Sequence, residues 1–131
     1  MKTPLFAAAL MISFCLASCK KGNVKPTGLF GSWELRGQSG TIAGYIKTFP
    51  SGNGYILQFN SDSTYQYSHK DTIGGHGPFR IIKNNISFAG ATYDGIYFNG
   101  SPSGDFIIQK TDSLTIGNTY ADGVTSVYVK K

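Results

Sequence analysis

The sequence predicts an all-β fold, an antiparallel meander closing into a barrel of about eight to ten strands. Three observations predict it. Strand formers dominate after the first residues, with 9 Phe, 8 Tyr and 1 Trp, while Ala, Leu and Glu are sparse beyond the N-terminus. Apolar residues recur with period two in short runs. Turn-forming clusters separate those runs at intervals of roughly 8–12 residues, too close for intervening helices.

The chain opens differently. Lys2 precedes a nearly unbroken apolar run, Pro4 to Leu16, followed by the small residues Ala17 and Ser18. This is the charged, apolar, small-residue order of a secretory leader. As a helix the run is roughly 20 Å long, short of the roughly 30 Å bilayer core. Leu16-Ala17-Ser18-Cys19 then resembles the lipobox of bacterial lipoproteins. The resemblance implies removal of residues 1–18, a diacylglyceryl thioether on Cys19 and acylation, for instance by palmitate, of its new amino group. Cys15 leaves with the leader, so the mature chain carries no free thiol and no disulfide. Several acyl chains on one residue hold a protein to a membrane durably. Residues 19–27, "CKKGNVKPT", read as a short solvated tether whose lysines favour anionic head groups. No acidic run follows Cys19, in contrast to the surface-export signals of Bacteroidota lipoproteins. No Asp directly follows the cysteine either, in contrast to the inner-membrane retention signal of enteric bacteria. By resemblance the anchor belongs in the outer membrane, facing the periplasm.

Residues 28–131 form one domain. The formal charge of +5 is misleading, because four of the 12 basic residues lie in the leader and tether. The domain is close to neutral, which argues against a nucleic-acid partner. Its strand runs follow in order. "WELRG" alternates from Trp33 and Leu35, and "YILQFN" sets Tyr55, Leu57 and Phe59 on one face. "TYQYSH" offers Tyr65 and Tyr67, "PFRIIK" Phe79 and Ile81, and "ISFAG" Ile86 and Phe88. "GIYFN" offers Ile96 and Phe98, "DFIIQK" Phe106 and Ile108, "LTIGN" Leu114 and Ile116, and "VTSVYVKK" Val127 and Val129. "SDS" (61–63), "NN" (84–85), "NGSPSG" (99–104), "TDS" (111–113) and "YADG" (120–123) supply turns between them. A closed barrel disposes of the free edges that such a meander would otherwise expose.

"GLFGSWEL" places Gly31-Ser32-Trp33 at the start of the first strand. This Gly-x-Trp resembles the opening motif of the lipocalins. With "FNSDSTYQY", "GPFRIIKNNISF" and "DSLTIGN…VTSVYVKK" in series, residues 30–131 are similar to the lipocalin-like domains of small Bacteroidota lipoproteins. The resemblance implies a lipocalin-like barrel with Gly31 and Trp33 closing one end. It also implies a basic side chain from a late strand above the Trp. No Arg follows Arg80, so only Lys110, Lys130 or Lys131 could supply it.

Chemistry is thinly represented. His69 ends one strand and His76 sits in "GGHG", with Asp71 between them. Two histidines without a placed third ligand do not make a metal site, and the segment reads as a solvated hairpin loop. "TIGGHG" leads into a strand, where a phosphate loop would lead into a helix. Most acidic residues stand in turns, where Asp serves its own backbone. No catalytic residue, metal or cofactor is assigned. What remains is a set of large aromatics on the expected inner face: Tyr55, Phe59, Tyr65, Tyr67, Phe79, Phe88, Phe98 and Phe106. These rings either fill the interior or line a cavity for a small hydrophobic ligand; eight strands leave room for both. The first reading expected is therefore a membrane-anchored, non-enzymatic ligand carrier. The alternative is an accessory lipoprotein with a filled barrel that docks a protein or glycan, with residues 41–55 as the candidate surface.

Overall fold

The computed structural model describes residues 28–40 and 44–131. The expected leader 1–18 and the tether 19–27, Cys19 included, lie outside the described residues. Nine strands follow in order: β1 (Gly31–Gly40), β2 (Tyr45–Thr48), β3 (Tyr55–Phe59), β4 (Thr64–His69), β5 (Thr72–Phe88), β6 (Ala91–Phe98), β7 (Asp105–Gln109), β8 (Ser113–Gly117) and β9 (Val124–Lys130). The described residues contain no helix. From β3 onward each strand pairs antiparallel with the next, and β9 pairs back along β1, from Trp33 opposite Lys130 to Gly40 opposite Val124. Eight strands, β1 and β3 to β9, thus close into a barrel, and β2 is an addition. The all-β meander and its closure are as the sequence predicts.

β9 occupies one edge of β1 along its length, so β2 and β3 share the other edge. β3 pairs with Gly31–Glu34 and β2 with Gly37–Gly40, both antiparallel. They are two halves of one strand, interrupted by residues 49–54. That interruption folds over the outer side of β1. The Glu34 carboxylate accepts the Gly52 N–H at 2.9 Å and the Arg36 guanidinium at 3.1 Å. The Asn53 side chain donates to the carbonyls of Leu35 and Pro50, both at 2.7 Å. Glu34, on the outer face, is only 4% exposed as a result. The stretch 41–55 is thereby resolved into a short strand and an anchored loop, with 41–43 outside the described residues.

Three sequence expectations need correction here. "GGHG" is no loop, and "NN" is no hairpin turn: both lie inside β5, which runs for 17 residues. The turns fall instead at Lys70-Asp71 and Ala89-Gly90, where both residues of each pair have positive φ. Two consecutive left-handed residues make the tight turn whose twist matches paired strands. Gly75 and Gly77 then stand opposite Tyr67 and Tyr65 in the β4–β5 ladder. Gly74 lets the Tyr67 ring lie against the β5 backbone, and Gly77 leaves room for the Asn99 side chain, which donates to the Tyr65 hydroxyl at 2.9 Å. Asn84 and Asn85 belong to an irregularity between Ile82 and Ile86, where β5 carries extra residues relative to β6. Asp94 ties it down, accepting from Lys83 Nζ at 2.7 Å and from the Asn84 N–H at 3.1 Å.

The third correction concerns which residues face inward. The core comprises Trp33, Leu57, Phe59, Phe79, Ile96, Ile107, Leu114 and Ile116. Burying each such side chain contributes about 1.5–3 kcal/mol. Ile107 pairs with Ile116 across β7–β8, so Ile107 shares the inner face and Phe106 and Ile108 take the other. On β9, Val127 and Val129 are exposed, whereas Lys130 is buried and Tyr128 packs against the core.

Candidate functional site

The two ends of the barrel differ. At one end Trp33 is fully buried, and its indole N–H donates to the Leu29 carbonyl at 2.7 Å. The Lys130 ammonium lies 4.2 Å from the centre of the Trp33 ring. It donates to the Gly28 carbonyl at 3.0 Å and also to that of Phe30. Of the three late lysines, Lys130 is the one above the tryptophan; Lys110 and Lys131 are exposed. Burial lowers the Lys130 pKa below the usual lysine value. Gly31 makes this packing possible. Its φ is +114°, and a Cβ there would stand 3.1 Å from Lys130 Nζ. The Gly-x-Trp spacing therefore has a physical reason: a left-handed residue without a side chain lets the cation settle over the indole.

The chain passes through β7 and β8 to reach the other end. β8 begins at Ser113, opposite Val129 beside the Trp33 end, and finishes at Gly117, opposite Thr125. There a cavity of about 360 Å³ opens. Leu57, Phe98 and Ile116 give it apolar walls, and Tyr65, Tyr128 and Asp105 add polar atoms. Its volume lies in the lower part of the range for small-molecule pockets, about 300–1,000 Å³.

The eight aromatics expected on the inner face divide into three groups. Phe59, Tyr65, Phe79 and Phe98 form one cluster, with Phe59 edge-on to Phe79 at 4.9 Å and Tyr65 edge-on to Phe98 at 4.6 Å. Only Tyr65 and Phe98 of these reach the cavity; Phe59 and Phe79 lie in the packed core. Tyr55 and Tyr67 sit further along the same face. Tyr55 stacks on His69 at 3.8 Å, and its edge meets Phe49 at 5.5 Å. Tyr67 lies against Gly74. Phe88 and Phe106 are on the outer side. Phe106 pairs with Gly95 and Gly117, stacks on Phe88 at 5.1 Å and tilts against Tyr93 at 5.5 Å. Phe106 is nevertheless buried, because the β5–β6 hairpin supplies those two rings as an outer cover.

Sequence reasoning missed Asp105, Ile116, Ser126 and Tyr128 as cavity residues. Desolvation raises the Asp105 pKa above the ordinary aspartate value. Desolvation also raises the Tyr128 pKa, with Tyr67 and Asp105 as lesser contributors. Tyr67 is raised by desolvation and then by Tyr55. Both phenols are thus neutral hydrogen-bonding groups near neutral pH.

His69 and His76 are not brought together. His69 faces inward opposite Tyr55, while His76 is exposed, opposite Gln66 on β4. Among the described residues no group of three His, Cys, Asp or Glu side chains is arranged to hold a metal ion. Comparison with protein families, curated proteins and solved structures finds no match to the chain.

Proposed function

We propose that this protein is a lipoprotein anchored through Cys19 to the outer membrane, facing the periplasm, whose lipocalin-like barrel binds a small hydrophobic ligand without transforming it. The observation that carries this reading is the asymmetry of the barrel. One end is plugged by Trp33 under Lys130, and the other opens on a cavity of about 360 Å³ with apolar walls. A plugged base with an open, ring-lined mouth suits capture by burial of apolar surface, with Tyr65 or Tyr128 orienting the guest. Native mass spectrometry and calorimetric titration with 1-octanol, on the full-length chain carrying Cys19→Ala to keep it free of lipid, test the carrier. Binding at the cavity is expected; failure to bind any apolar probe refutes it. Labelling of the wild-type chain with palmitate in cells, abolished by Cys19→Ala, tests the anchor.

A second reading, an accessory lipoprotein that docks a protein or glycan, draws on the outer face. Ile46 on β2 is 78% exposed and borders a shallow groove of about 200 Å³ with Val127. Ile46→Asp separates the two: it abolishes docking and leaves ligand binding unchanged.

A further inference from the structure

Resting on the carrier reading, we propose that the cavity selects an amphiphile with a cationic nitrogen head, the head pairing with the Asp105 carboxylate and the apolar tail lying against Leu57, Phe98 and Ile116. The argument starts from the lining. Ten residues border the cavity, and Asp105 is the one charged residue among them. It stands at the start of β7 opposite Ile96 of the core, so its side chain projects from the inner face of the sheet. It is half-buried and has no hydrogen-bond or ion-pair partner among the described residues.

The other buried or half-buried carboxylates of the barrel do have partners. Glu34 holds Arg36 and the Gly52 N–H, and Asp94 holds Lys83 and the Asn84 N–H. Lys130, the buried cation, is committed to the opposite end. Asp105 keeps part of its contact with water, but a half-buried carboxylate gives up some hydration with no counter-charge to replace it, and charges in such settings are ordinarily paired. Here the missing partner is a cation delivered by the ligand. The neighbouring phenols suit the same guest, since Tyr65 and Tyr128 offer ring faces and neutral oxygens to an ammonium group. An anionic head would meet Asp105 with repulsion and find no basic side chain in the lining.

Three probes with one tail and different heads decide the matter: octylammonium, 1-octanol and octanoate, titrated by calorimetry into the full-length Cys19→Ala chain. Octylammonium is expected to bind at least about tenfold more tightly than 1-octanol, the low end for close charge pairs, and octanoate more weakly than both. Asp105→Asn should bring octylammonium to within about threefold of 1-octanol, with an unchanged circular-dichroism spectrum and urea transition certifying that the variant is folded. If 1-octanol binds but the wild-type chain shows no preference for the ammonium, or the preference survives Asp105→Asn, the head-group assignment is wrong and the carrier stands. If none of the three binds, the carrier reading falls as well.

Discussion

Replacing Lys130 by Met tests how the closed end is held. The methylene stem is retained, so the loss is confined to the ammonium group. That group gives one cation–π contact with Trp33, about 0.5–2 kcal/mol, and two hydrogen bonds from a charged donor, about 1.5–3 kcal/mol each. The gross loss is therefore several kcal/mol. Against it stands the desolvation of a lysine left only 5% exposed, itself several kcal/mol. The Gly28 and Phe30 residues are exposed, so water can replace the lost donor at their carbonyls. The net destabilisation should be about 1–3 kcal/mol, corresponding to a fall in Tm of roughly 4–8 °C per kcal/mol for a domain of this size. Trp33 is the single tryptophan, so its fluorescence in urea reports unfolding directly. A double-mutant cycle with Trp33→Leu should isolate about 0.5–2 kcal/mol of coupling. If Lys130→Met matches the wild type within about 0.5 kcal/mol, or the cycle shows no coupling, the closed end is not held by this cation.

Other substitutions probe the remaining assignments. Phe106→Ala, by removing a ring only 4% exposed, should destabilise by about 3–5 kcal/mol in urea denaturation yet leave 1-octanol affinity unchanged, because the ring packs outside the barrel. A loss of affinity would put it back in the cavity. Gly117→Ala places a Cβ 2.5 Å from Phe106 Cζ and 2.6 Å from Thr125 Oγ1, so overpacking should cost about 1–3 kcal/mol, and a neutral result would refute the tight outer packing. Asp105→Asn should raise stability at pH 7. Desolvation lifts the native Asp105 pKa, so the native chain holds its proton to higher pH than the unfolded chain does. The stability tied to this site is complete below the ordinary aspartate range and is lost as pH rises through the native value. The gain from Asn should accordingly shrink in acid, and a variant less stable than wild type at pH 7 would overturn the account.

Much of the barrel was legible because strands with one apolar face write their geometry in period two. Trp33 and Leu35, Tyr55 to Phe59, Ile96 and Phe98, and Leu114 and Ile116 all fall on the expected face. Reading failed where the pattern is degenerate. "FII" in β7 has three apolar residues in succession, and alternation cannot choose between Phe106 and Ile107. Packing chooses: Gly117 on the outer side makes room for the Phe106 ring, which Phe88 and Tyr93 cover. Glycines misled in a related way. In β5 they mark close approaches, Gly74 to the Tyr67 ring and Gly77 to the Asn99 side chain, not a loop, while the turns fell to Lys70-Asp71 and Ala89-Gly90, pairs whose left-handed backbone composition alone does not announce.

The face of β9 follows from one residue. Alternation of valines points Val127 and Val129 inward, since apolar residues ordinarily take the core side. If Lys130 is the cation above Trp33, it must face inward, and then Tyr128 and Ser126 face inward with it while both valines turn out. A strand whose inner face reads Ser, Tyr, Lys looks polar and would pass for the solvent side. It is inner because its last residue closes the barrel and its first two line the mouth. The plug and the cavity are therefore coupled through the register of a single strand. A slip of one residue in β9 that brings Val129 to the place of Lys130 also brings Val127 to the place of Tyr128, so the cation over Trp33 and the phenol beside Asp105 are lost together. That shared dependence is why the pairing of Trp33 with Lys130 bears on the open end as much as on the closed one.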